Sequence, residues 1–318
     1  MISISGLTKT YGKLVAVRDI SLEIRAGETF AFLGPNGSGK TTTLKCLVGL
    51  ARPTAGEILV GGFNLRRDSI EARRQMSYLP QRVSFHDNLT AREVLEFYGR
   101  LRKLPRRQIE EALAAGGFNS NGFMDSDVGT LSGGMLQRLG LAVACLPDTP
   151  ILVLDEPMVN LDPQGAINFR EFLVRMKGKN KTTIFSSHIL ADVEHLADRV
   201  AILVGGRLVA LESVGALREG VLRSSKMRLS LANPDSRWEA VARAAGADTV
   251  AAEGNSLVIE SPPEKRLPIL RTLEGGGAKI AKFSTIEPSL EDIYLRYIHE
   301  EDGHARGNPS GRVRPDQD

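Results

Sequence analysis

Apolar positions along the chain follow two different regimes. Up to about residue 214, short continuous apolar runs alternate with segments of helical period. The run Glu28–Leu33 ends in a Gly-rich turn, and Thr42 to Leu50 then fits a helix. Ile151-Leu152-Val153-Leu154 is an unbroken aliphatic run, the mark of a strand buried on both faces. Thr182–Ser186 and Arg199–Val204 have the same character, with a helix around Ala191–Ala197 between them. Strands alternating with helices predict an α/β unit built on a largely parallel sheet.

Beyond residue 215 the order changes. Lys226–Leu231 has the pattern of a strand, and Asp235–Ala245 is helical, with Trp238, Val241, Ala242 and Ala245 on one face. Thr249–Ala252 and Ser256–Glu260 flank Glu253-Gly254-Asn255 as a hairpin. A helix over Glu264–Leu273 and a strand over Ala278–Ser284 complete a βαββαβ order, which predicts a small ferredoxin-like α+β domain. Ser289-Leu290-Glu291-Asp292 has the form of a capping box and starts a last helix towards His299. The expected organisation is one unit over 1–214, a second over 215–299, and a polar, Gly- and Pro-rich tail over 300–318 that is expected to be disordered.

Composition narrows the classes. At roughly 150 residues per domain, 318 residues suggest two domains. With 42% apolar and 25% charged residues, the chain is neither disordered nor fibrous. No apolar stretch approaches the roughly 18 residues of a membrane helix, and Met1–Gly6 lacks the charged start and apolar block of an export signal. The two cysteines, Cys46 and Cys145, have no metal-type spacing, and reduced thiols are expected. A net charge of +3 does not call for a nucleic-acid partner, and none is expected.

Three segments carry chemistry. Gly34-Pro35-Asn36-Gly37-Ser38-Gly39-Lys40-Thr41 matches G-x-x-x-x-G-K-[ST] at every fixed position. Its glycines let backbone N–H groups converge on a phosphate, and the following helix turns its positive end to the same anion. Lys40 is placed to reach the β- and γ-phosphates and the Thr41 hydroxyl to hold Mg²⁺. The strand Ile151–Leu154 ends in Asp155-Glu156, two carboxylates where α/β sheets bind ligands. Asp155 is a candidate for the metal shell and Glu156 for polarising an attacking water. The third segment is Leu131-Ser132-Gly133-Gly134-Met135-Leu136-Gln137-Arg138, in which Ser132 is a natural helix N-cap. Alone, Ser-Gly-Gly reads equally well as a capped helix without a ligand. Here it follows a phosphate loop, and Arg138 stands 17 positions before Asp155.

Together these motifs resemble the nucleotide-binding subunit of an ABC transporter, over residues 1 to about 214. The resemblance implies a P-loop NTPase fold and an ATPase that uses ATP and Mg²⁺. It assigns adenine stacking to Tyr11 and nucleotide binding to Gly34, Asn36, Gly37, Ser38, Gly39, Lys40, Thr41 and Thr42. Gln81, in Tyr78-Leu79-Pro80-Gln81, matches the glutamine that senses Mg²⁺ and links the site to the membrane subunit. Glu156, His188 and Lys40 become the catalytic set, with His188 on the γ-phosphate, and Thr41, Gln81 and Asp155 the metal set. Asp162 matches the acidic residue of the loop that communicates between sites. Two segments depart from the family pattern. Met135 replaces a common Gln, as in subunits of the ABC-2 type, and Met158-Val159-Asn160 replaces the usual small residues before Leu161-Asp162.

In the family, Ser132 and Gly134 of one copy close the phosphate loop of another. One phosphate loop, one signature and no internal repeat therefore imply a head-to-tail dimer. The resemblance further implies a separate membrane-spanning permease subunit and a peripheral position on the cytoplasmic face of the membrane. The stretch Arg82–Leu104, with Phe85, Leu89, Val94, Leu95 and Phe97, corresponds to the family's docking groove, its exposed part being the candidate for docking and the rest reading equally as core. A nucleic-acid-directed ATPase of the superfamily is the rival of a different class. It carries a long coiled coil between the glutamine loop and the signature, where this chain has only 50 positions from Gln81 to Leu131. Met135, His188-Ile189-Leu190 and the C-terminal domain resemble the ABC-2 exporter branch. Tyr78–Phe85 and the Ser289–Asp292 ending are similar to the ATPase that serves nitrous-oxide-reductase copper-site maturation, with a drug, lipid or polysaccharide exporter as the alternative.

Overall fold

A computed structural model describes residues 2–107, 109–110, 123–159, 161–217 and 226–286. The chain divides into two compact units, Met1–Glu212 and Ser213–Asp318.

The first unit opens with β1 (Ile2–Tyr11), β2 (Leu14–Ile24) and β3 (Thr29–Leu33), followed by α1 (Lys40–Leu47), β4 (Ala55–Val60) and β5 (Phe63–Asn64). Then come α2 (Ser69–Arg74), β6 (Met76–Leu79), α3 (Ala91–Leu101) and α4 (Gly133–Cys145). It continues through β7 (Ile151–Leu154), α5 (Pro163–Gly178), β8 (Thr182–Ser187), α6 (Leu190–Leu196), β9 (Arg199–Val204) and β10 (Arg207–Ser213).

The central sheet runs β10-β9-β3-β8-β7-β6, and the pairs β9–β3, β3–β8, β8–β7 and β7–β6 are parallel. β3, β7 and β8 are buried at every position, which is why their sequences read as continuous rather than alternating apolar runs. Strand order is far from chain order, so the carboxyl ends of β3, β7 and β8, from distant parts of the sequence, lie side by side.

A second sheet, β2-β1-β4-β5, is antiparallel and was not expected from the apolar pattern. Its register shifts between Ile4 and Leu7 and again between Leu7 and Lys9, and these irregularities break the alternation by which a strand is recognised. β1 and β4 shift register in turn between Ser5 and Thr8, where Gly56 of β4 sits at φ +82° and a Cβ there would stand 2.3 Å from the Gly6 carbonyl oxygen, so these two strands close only over glycine. Ile2, Ile4, Leu7, Ile20 and Ile24 from this sheet, Leu44 and Leu47 from α1, and Phe30, Phe32, Ile151, Val153 and Ile184 from the central sheet form one core. A separate cluster joins α3 and α4 through Val94, Leu95, Leu139 and Val143.

The second unit contains β11 (Lys226–Leu231), α7 (Arg237–Ala244), β12 (Thr249–Glu253), β13 (Ser256–Glu260), α8 (Pro263–Gly275) and β14 (Ile280–Ile286). Its sheet is antiparallel in the order β12-β13-β11-β14, the ferredoxin-like arrangement expected from βαββαβ. Met227, Leu229, Leu231, Leu257 and Ile259 face Trp238, Ala242, Ile269 and Leu273 of the two helices. The strand expected over Ala278–Ser284 starts later, at Ile280, because the Asn233 side chain holds Lys279 N (2.7 Å). The helix expected from Ser289 and the tail beyond it lie outside the described residues.

Candidate active site

The expected phosphate loop connects β3 to α1. Gly37 and Gly39 adopt positive φ, +81° and +99°. At Gly39, the residue before α1, a Cβ would meet the Ala16 carbonyl oxygen at 2.6 Å, so geometry and packing both demand glycine. The helix expected from Thr42 therefore begins at Lys40, directly after that turn, and ends at Leu47, before Gly49 at φ +75°. Its amino end, carrying the positive pole of the helix, faces the loop.

Lys40 is folded back into the loop. Its Nζ donates to the carbonyl oxygens of Gly34 (2.7 Å) and Pro35 (3.1 Å) and lies 3.4 Å from Glu156 Oε1. Both side chains of that pair are 5% exposed. Burial lowers the Lys40 pKa, and the Glu156 charge, pulling the other way, does not fully offset it. Glu156 itself has φ +47°, and its other oxygen lies 2.9 Å from His188 Nδ1, whose ring is 42% exposed. One buried carboxylate thus joins the lysine of the loop to the histidine beyond β8.

Asp155, fully buried, accepts three hydroxyl hydrogen bonds: Thr41 Oγ1 (3.0 Å) and Ser186 Oγ (2.8 Å) on Oδ1, and Tyr78 OH (3.4 Å) on Oδ2. Burial, and then the neighbouring Asp155 charge, push the Tyr78 phenol well above its ordinary value, so it remains a donor. Thr41 and Asp155 are hard oxygen donors in direct contact, which suits Mg²⁺. Ser38 Oγ is buried without a protein partner, an orphaned hydroxyl in a loop shaped for phosphate.

The structure therefore brings together Gly34, Ser38, Lys40, Thr41, Asp155, Glu156 and His188. Other residues named from sequence stand apart. Tyr11 is exposed at the end of β1, with Lys9 Nζ 4.7 Å from its ring centroid. Gln81 is exposed just after β6 and, among the described residues, makes no hydrogen bond to Asp155. Ser132 caps α4, accepting from Met135 N (3.3 Å), and among the described residues its side chain makes no hydrogen bond to Lys40 or Glu156. Asp162 caps α5 in the same way through Gly165 N (2.8 Å). Two contributors carried no assignment in the sequence. Tyr78 and Ser186 were visible only as residues flanking Gln81 and His188.

A phosphate-binding loop at the carboxyl ends of a parallel sheet, joined by adjacent acidic residues and a strand-end histidine, defines a P-loop ATPase. The family model for ABC transporters matches residues 17–159. The ABC transporter ATP-binding protein YxlF of Bacillus subtilis is 35% identical over 304 residues, covering 94% of this chain and all of that one. The Nod factor export ATP-binding protein I of a Rhizobium species is 32% identical over 304 residues, 93% of this chain and 96% of the relative. An ATP-binding cassette solved as a dimer in a post-hydrolysis state with ADP and Pi superposes with a TM-score of 0.62 at 26% identity, over 67% of this chain and 99% of that structure. The chain belongs to the ABC transporter ATP-binding proteins, and it is an ABC ATPase.

Proposed function

We propose that this ATPase powers an ABC-2 type exporter as a head-to-tail dimer docked on a separate membrane-spanning subunit, at the cytoplasmic face of the membrane. The observation that carries the chemistry is the Lys40–Glu156–His188 chain, with the orphaned Ser38 hydroxyl beside it. Lys40 is held by two carbonyls and Glu156. Phosphate oxygens replace those partners, and Glu156 is released to accept a hydrogen bond from the attacking water while His188 keeps its carboxylate turned towards the γ-phosphate. Thr41, Asp155 and Gln81 are the residues to hold Mg²⁺, which when bound supplies charge neutralisation on the phosphates. Tyr11 provides an exposed ring for the adenine.

Ser132 is exposed and Gly134 half-buried at the capped start of α4, the positive end of that helix. A second copy brings that surface to the phosphate loop, in keeping with the dimeric state of the solved cassette. No helix among the described residues is long and apolar enough to cross a membrane, and the family's arrangement supports a separate membrane-spanning subunit. The exporter direction is supported by Met135 and by relatives whose names denote export or resistance. The narrower service, nitrous-oxide-reductase copper-site maturation, is supported by Tyr78–Phe85 and Ser289–Asp292, and identification of the co-purifying membrane subunit tests it.

Replacing Glu156 with Gln tests the central assignment. ATP hydrolysis should fall by about 10²-fold or more while ATP still binds and the dimer accumulates, as read by a phosphate-release assay and light scattering. A variant that hydrolyses at the parental rate removes Glu156 from this role.

A further inference from the structure

Ser186 is a fully buried hydroxyl on β8, and its single oxygen is tied to two consecutive carboxylate residues of the neighbouring strand. It donates to Asp155 Oδ1 (2.8 Å) and accepts from the backbone N–H of Glu156 (2.8 Å). The ladder around it explains why a side chain is needed there. β7 pairs with β8 up to Leu154 and Phe185, and Asp155 N continues the pairing on the other side by donating to Leu79 O (2.9 Å). Glu156 then leaves the sheet at φ +47°, a conformation that side chains other than glycine seldom adopt. Its N–H has no strand carbonyl to meet and takes Ser186 Oγ instead. On the opposite side of the Asp155 carboxylate, Tyr78 OH donates to Oδ2 from β6, so hydroxyls from both flanking strands fix the rotamer of one carboxylate.

Resting on the reading that Asp155 holds metal and Glu156 orients water, we infer that Ser186 is a positioning residue that couples the two. Its hydroxyl sets the Asp155 carboxylate and anchors the backbone turn that aims Glu156. Tyr78 positions Asp155 alone. The two hydroxyls touch the same carboxylate but have different consequences. Losing Tyr78 OH loosens only the metal ligand, and excess metal compensates. Losing Ser186 Oγ also frees the Glu156 turn, and no amount of metal restores that.

The test is steady-state ATP hydrolysis of the full chain across a Mg²⁺ titration, with Mn²⁺ affinity measured by electron paramagnetic resonance in the presence of ADP. Ser186→Ala should lower kcat by about 10- to 100-fold even at saturating Mg²⁺, leave the KM for ATP within about twofold, and weaken Mn²⁺ binding about tenfold. Ser186→Thr, which keeps a hydroxyl, should recover both kcat and Mn²⁺ affinity. Tyr78→Phe should weaken Mn²⁺ binding and regain the parental kcat at high Mg²⁺. If Ser186→Ala does not fold, Ser186→Cys, whose thiol is a poor donor, is read by the same two numbers. Unchanged kcat and Mn²⁺ affinity in Ser186→Ala overturn the inference, and so does a deficit that excess Mg²⁺ fully reverses. A wild-type chain without Mg²⁺-dependent hydrolysis defeats the proposed function itself, whereas an active wild type with insensitive Ser186 variants defeats only this step.

Discussion

At the scale of single residues, the contact between Lys40 and Glu156 sets the terms of nucleotide binding. A buried ammonium must have a partner, and here it has two carbonyl oxygens and a carboxylate. On the proposed role of Lys40, nucleotide phosphate would compete with Glu156 for the same charge, and this contact would oppose binding. Neutralising the competitor should therefore raise affinity. Glu156→Gln is expected to bind ATP about three- to tenfold more tightly than the parent, measured by fluorescent-nucleotide titration at protein concentrations low enough to keep it monomeric. Equal affinities would mean that Lys40 leaves Glu156 at no cost. The same burial bears on what the sequence could reveal. Lys40, Thr41, Asp155, Glu156 and His188 were legible because each occupies a fixed place in a motif. Ser186 and Tyr78 were not, because a hydroxyl acquires its role only when β6, β7 and β8 become neighbours, and that order is not written along the chain.

At the scale of elements, α3 shows how one helix serves two surroundings. Thr90 and Glu93 form a reciprocal capping box that fixes its start, with Glu93 N donating to Thr90 Oγ1 (3.2 Å) and Thr90 N to Glu93 Oε2 (2.8 Å). Val94 and Leu95 pack inward against α4, while Phe97 and Leu101 remain 56% and 65% exposed. Of the apolar residues in Arg82–Leu104 expected to dock a partner, then, Val94 and Leu95 belong to the core, Phe85 and Leu89 are partly buried, and Phe97 is free for contact. Phe97→Asp together with Leu101→Asp should abolish co-purification with the proposed membrane subunit while leaving the detergent-free ATPase rate within about twofold, since both side chains are more than half exposed. Retained co-purification would move the docking surface elsewhere. Elements were legible in proportion to the regularity of their pattern. Ile151–Leu154, Arg199–Val204, Lys226–Leu231 and Ser256–Glu260 match their expected limits. The first is buried throughout and the last two alternate cleanly, so burial alone dictates their composition. β1 and β2 escaped because their shifts of register interrupt alternation, and β6 because Ser77 and Tyr78 break the apolar run that marks β7, a strand of the same length.

For the whole molecule, the proposed dimer makes each copy an incomplete enzyme. The phosphate loop and the two carboxylates converge, whereas the Ser132 side chain makes no hydrogen bond to Lys40 or Glu156 among the described residues, and the sequence has one phosphate loop and one signature. If each site draws its phosphate loop from one copy and its Ser132 segment from the other, two inactive variants should complement each other. Lys40→Ala removes the phosphate contact and Ser132→Arg obstructs the signature, so each variant alone has two defective sites per dimer. In a mixed dimer both lesions fall in the same site, and the other site pairs an intact phosphate loop with an intact signature. Random mixing makes half of the dimers mixed, each with one of two sites whole, so the mixture should recover about a quarter of parental ATPase activity if the sites act independently. Recovery should rise with total protein concentration, because association precedes chemistry. A mixture as inactive as its components, despite mixed dimers detected by native mass spectrometry, would show that each chain closes its own site, and the shared-site geometry would have to be abandoned.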